Sequence, residues 1–153
     1  MVFGSVWRGI YLVELDSRTG QRVAPDSPLH RVAYHSDIEA ASLHRREDRY
    51  YLFVNWGRCC RGTNSTYEIR VGRSQNITGP YLDRDGQDLA NGGGTLFLKT
   101  NGPDIGPGHV SVLSDAGREF VSFHVYDATL RGRSQLRLRT LNWSEDGWPL
   151  TGD

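Results

Sequence analysis

Apolar and polar residues alternate with a period of two over Ile10–Leu15, Tyr50–Asn55, Tyr67–Val71, Phe120–Val125 and Leu136–Leu141. That period sends successive side chains to opposite faces of an extended backbone, so each run predicts a strand. Clusters of Gly, Asn and Asp separate the runs, and no helical period of useful length interrupts them. The 18 glycines suit the tight turns that many short strands require. The expected fold class is all-β.

Strand spacing groups the runs within a single domain over residues 1–153. A hairpin over residues 1–25 has the length of half a propeller blade. Antiparallel units over 36–99 and 106–150 each have the length of a whole one. Alternation alone fits a sandwich or jelly roll equally well.

At 153 residues the chain can bury a core of its own. Eighteen basic residues balance eighteen acidic ones, so no charge excess recommends a nucleic acid or an anionic membrane as partner. No stretch approaches the roughly 18 apolar residues of a membrane span, and the first twenty residues lack the basic start and apolar run of a signal peptide. These features predict a soluble protein and assign no compartment. Cys59 and Cys60 are the only cysteines, and their adjacency does not suit a zinc knuckle. Two buried thiols are expected there.

Chemistry-bearing residues concentrate in Ser36-Asp37-Ile38-Glu39-Ala40-Ala41-Ser42-Leu43, in Tyr50–Trp56 and in Arg58-Cys59-Cys60-Arg61-Gly62. Together with Ser65–Ser74, Thr78–Tyr81, Gly106-Pro107-Gly108-His109 and Trp143–Pro149, they resemble the family 43 glycoside hydrolases, specifically endo-1,5-α-L-arabinanases. The resemblance covers nearly the whole chain but only the second half of such an enzyme. It implies a five-bladed β-propeller, of which this chain would form about two and a half blades. Family members are often secreted.

An inverting glycosidase needs an acid on the leaving oxygen and a carboxylate base that activates water. By resemblance Glu39 is the general acid, in an Ile-Glu-Ala-Pro context where Ala41 stands in place of the proline. The family's base lies in its first blade. A second aspartate, which orients and tunes the acid, precedes a segment resembling Gly4–Ile10. Neither has a counterpart here, so the base is expected to be missing from this chain and the chain alone to hydrolyse arabinan little or not at all. Arabinan or an arabino-oligosaccharide is the implied ligand, with Ser5, Trp7, Asn55 and Thr66 as its expected contacts. His109 resembles the histidine at the propeller axis, which implies calcium held there directly or through water. Bottom-up, a histidine is a poor calcium ligand and a packed core residue is its alternative role. Exposed blade faces lead us to expect either a homodimer or assembly with a missing N-terminal half. A non-catalytic half-propeller that self-associates and binds carbohydrate is the second functional expectation.

Overall fold

The protein, described here over residues 1–152 of a computed structural model, is built from strands and short 3₁₀ turns, with no α-helix among the described residues. The first sheet holds β1 (Val2–Ser5), β2 (Gly9–Leu12) and β3 (His30–Ala33), in that order. The central sheet is β4 (Glu39–Arg46), β5 (Arg49–Trp56), β6 (Glu68–Ser74) and β7 (Thr95–Leu98). The third holds β8 (Asp104–Asp115), β9 (Arg118–Asp127), β10 (Arg133–Trp143) and β11 (Pro149–Thr151). Every pairing is antiparallel between chain neighbours, so each sheet is a meander. The first sheet includes His30–Ala33, beyond the hairpin expected over residues 1–25.

β5 holds the three sheets together. Its run Tyr51-Leu52-Phe53-Val54-Asn55 is buried throughout, because both of its faces are covered. Tyr51 and Phe53 join Ile69, Val71, Val110, Val121, Phe123 and Trp148 in the core shared with the third sheet. Leu52 and Val54 point the other way, into a core with Ile10, Leu12, Val32, Ile38, Tyr81 and Leu89 beside the first sheet. The alternation visible in the sequence therefore separates one core from another rather than core from solvent.

Polar contacts fix the spacing of these layers. The Tyr51 hydroxyl donates to the Gly147 carbonyl at 2.7 Å, tying the central sheet to the β10–β11 turn. Nearby, Arg73 lies 4.4 Å and Arg84 5.6 Å from the Trp148 ring, a cation–π clasp over a nearly buried indole. Within the third sheet Arg137 bridges Asp104 and Asp127 at 2.7 and 2.8 Å, while Arg139 reaches Asp104 at 3.1 Å. Hydrogen bonds from Thr129 and Arg137 hold the Asp127 carboxyl below its ordinary range. On the opposite side of β10 Leu136 and Leu138 are uncovered, 75% and 61% exposed.

Two substitutions test this account by urea unfolding. Phe53→Ala, which empties the middle of the larger core, is expected to cost about 3–5 kcal/mol. Tyr51→Phe, which removes only the bond to Gly147, is expected to cost about 0.5–1.5 kcal/mol. Equal losses for the two would mean that cavity formation does not dominate at this seam.

Candidate active site

Glu39 opens β4, half-exposed, opposite Asn55 of β5. Between the pairs Glu39↔Asn55 and Ser42↔Phe53, β4 carries one residue more than its partner, a β-bulge. Ala40 takes up the extra length in the left-handed region, at φ 55°. For a residue with a Cβ that conformation costs about 1–2 kcal/mol, so surrounding structure must hold it.

β8 is irregular in the same way. Its register against β9 shifts between Ile105 and Gly108 and again between Gly108 and Ser111. His109 sits within this stretch at φ 54°, with an exposed side chain. Gly108 has no room for a side chain, since a Cβ there would meet Tyr67 at 2.5 Å and His124 at 2.9 Å. His109 and His124 have ring centroids 5.7 Å apart. Burial, then the neighbouring His109, pushes the His124 imidazole below its ordinary pKa, and its buried Nε2 has no partner.

Asn55 connects these two bulged strands, and its role differs from the expected one. It is fully buried. Its Nδ2 donates to the carbonyls of Glu68 (3.1 Å) and Pro107 (3.0 Å), and its Oδ1 accepts from the His109 amide at 2.9 Å. Both ends of the amide face backbone, so Asn55 sets where His109 stands relative to Glu39 and offers no free surface to a sugar.

The other expected contacts are more open. Ser5 and Trp7 lie at the β1–β2 turn, exposed, with Trp7 at 87%. They line an open depression of about 320 Å³ together with Phe3, Tyr11 and Leu29. Thr66 is exposed, and its hydroxyl accepts the Arg58 amide at 3.0 Å. Trp56 is engaged by its neighbours. His35 stacks on its ring at 4.1 Å and the Arg70 guanidinium lies 4.6 Å from it, with Arg70 held in turn by Glu68. His35 also accepts the Asp37 amide, bracing the turn that delivers Glu39.

The cysteines depart from expectation. Cys59 and Cys60 are joined as a disulfide between neighbours in sequence, Cys60 exposed and Cys59 half-exposed, where two buried thiols were expected. The apolar character of cysteine predicted burial, but the segment is a loop between β5 and β6 whose inward positions belong to Ser65 and Tyr67. Arg73 stacks on Trp148 and donates to the Asp146 carbonyl.

As for a metal, no group of three or more His, Cys, Asp or Glu side chains converges among the described residues. His109 and His124 offer nitrogen, whereas calcium takes oxygen ligands. These side chains do not by themselves fit calcium.

The profile for glycosyl hydrolases family 43 matches residues 1–149. An extracellular exo-α-(1→5)-L-arabinofuranosidase of Cellvibrio japonicus is 38% identical over 97% of this chain and 46% of its own length. An extracellular endo-α-(1→5)-L-arabinanase of Bacillus subtilis is 40% identical over 97% of this chain and 45% of its own. Among solved structures, the Cellvibrio cellulosa α-L-arabinanase complexed with arabinohexaose superposes with a TM-score of 0.93 at 37% identity, over 99% of this chain and 52% of that one. The chain thus spans about half the length of these relatives, matching their C-terminal half. The three meandering sheets are accordingly part of a β-propeller. With the profile matched almost from end to end and the arabinanase fold reproduced over the same span, the chain belongs to glycoside hydrolase family 43.

Proposed function

We propose that this chain supplies the general acid, Glu39, to an inverting hydrolase of α-1,5-linked arabinan. The observation that carries the assignment is the placement of Glu39 at a bulged strand head, opposite Asn55, whose side-chain amide also accepts the backbone N–H of His109. Similarity to arabinan-cleaving relatives supports the substrate class.

In this mechanism the protonated Glu39 gives its proton to the glycosidic oxygen as the bond from that oxygen to the anomeric carbon breaks. A water, deprotonated by a carboxylate base about 6.5–9.5 Å away, forms the new bond from the opposite face and inverts the centre. We assign the base, and the aspartate that orients the acid, to the part of the family fold that these residues do not span. Trp7 and Ser5 are the proposed contacts at one side of the cleft and Thr66 at the other.

A chimera in which this chain replaces the matching half of the Bacillus subtilis relative tests the assignment. It should hydrolyse linear arabinan, with the chain alone showing little or no activity. Glu39→Gln should lower turnover about 10²–10⁴-fold, the usual contribution of general acid catalysis. The same variant should retain far more activity on an aryl arabinofuranoside, whose leaving group needs no proton. An active chimera indifferent to Glu39→Gln would remove Glu39 from the mechanism.

The second function, a self-associating half-propeller that binds carbohydrate without cleaving it, is favoured by the uncovered Leu136 and Leu138. Light scattering at micromolar concentration is expected to show a dimer, shifted toward monomer by Leu136→Lys with Leu138→Lys. A folded wild-type monomer would leave this second function without support.

Calcium at His109 is decided by thermal melting. Since the side chains present are poor in oxygen, the melting temperature should be indifferent to calcium and to chelator. A calcium-dependent rise that His109→Ala abolishes would place a cation there, its remaining ligands being water or carbonyl oxygens.

A further inference from the structure

The loop that carries the disulfide lies at the Glu39 end of the central sheet. Glu39 pairs with Asn55, Trp56 pairs with Glu68, and residues 57–67 connect the two strands there. The inner side of the loop is closed by polar contacts. The Cys60 amide donates to the Tyr126 hydroxyl at 2.8 Å, and the Arg61 amide to the Ser65 hydroxyl at 3.0 Å. Arg58 and Thr66 pair across the loop base, through Arg58 N to Thr66 Oγ1 at 3.0 Å and Thr66 N to Arg58 O at 2.9 Å. With those groups engaged inward, the loop leaves Cys60 exposed and Cys59 half-exposed.

Sugar rings are bound by laying a C–H-rich face on an apolar surface while donors and acceptors take the hydroxyls. The aromatic rings at this end are not free for that purpose. Trp56 is covered by His35 and Arg70, and Tyr67 and Tyr126 are buried. Within this loop and the strand ends it joins, the disulfide offers an exposed apolar surface. Polar groups flank it as such a site requires: Arg58 and Arg61 are exposed, and Thr66, whose oxygen accepts from Arg58, keeps its own O–H to donate.

We propose that the Cys59–Cys60 disulfide is a contact surface for the apolar face of one arabinofuranose unit of a bound chain, with Arg58, Arg61 and Thr66 serving its hydroxyls. This inference rests on the arabinan assignment and adds a subsite to it. No electron transfer is involved, because the disulfide acts by contact alone.

Arabinohexaose is the probe. Non-reducing alkylation with mass spectrometry should first show both sulfurs unreactive, and two free thiols in the purified chain would overturn the proposal at once. Because Cys59 and Cys60 are the only cysteines, a sample carrying ¹³C at cysteine Cβ gives only two methylene signals. On titration these should shift and show intermolecular NOEs to sugar ring protons, which a loop staple remote from the ligand would not show. Calorimetry should find binding about tenfold weaker, or about 1.4 kcal/mol, in Cys59→Ser/Cys60→Ser and in chain reduced in place, with reoxidation restoring it. Circular dichroism checks that each form is folded. Binding without NOEs or without sensitivity to the disulfide would overturn the subsite and leave the arabinan assignment standing. No binding of arabinohexaose by the oxidised chain would count against that assignment, and the subsite would fall with it.

Discussion

Everything here depends on one strand being buried on both faces. β5 carries Tyr51 and Phe53 into one core and Leu52 and Val54 into the other, so it has no solvent side on which to relax. A shift of one residue in its pairing would exchange these sets between cores of different shape and carry Asn55 away from β8. The rest of the fold is assembled outward from that strand.

The same constraint explains how an irregular site can exist on a regular scaffold. Ala40 and His109 occupy a backbone region that residues with a Cβ seldom adopt, and each lies in a bulge of the strand that begins its sheet. Such conformations persist when their surroundings over-determine them. For His109 the determinant is visible in the Asn55 bond to its amide and in the close fit of Tyr67 and His124 around Gly108. Asn55 is fixed in turn by β5. A packed strand thereby determines the spacing between a carboxylate and an imidazole on different sheets.

Much of the architecture was legible in the sequence, for identifiable reasons. Period-two runs at Tyr67–Val71 and Phe120–Val125 marked β6 and β9 because each strand turns one apolar set inward. The resemblance carried by Ile38-Glu39-Ala40 and Gly106–His109 supplied the family and the propeller, which alternation could not choose over a sandwich. What stayed hidden was side-chain engagement. Asn55 in a strand reads the same whether its amide meets sugar or backbone, and only the folded register brings Pro107 and His109 within reach. Trp56 offered an aromatic face that His35 and Arg70 occupy, and neither neighbour is close to it in sequence. The cysteines misled because cysteine is usually buried, whereas adjacency to Gly62 and the run of small polar residues after it marked a surface loop.

At the end of the central sheet away from Glu39, the clasp of Arg73 and Arg84 on Trp148 bears on the ionic media the protein can tolerate. The Arg84–Asp146 pair beside it is exposed at 3.4 Å, and an attraction of that kind fades as dissolved salt shortens the Debye length to about 3 Å at 1 M. A guanidinium lying against an indole is different, since much of its hold is contact between weakly hydrated surfaces and ions cannot enter between them. Brine would loosen the charge pair and leave the stacked one, so this seam is fastened by shape where a bridge of opposite charges would have made it depend on the surrounding water.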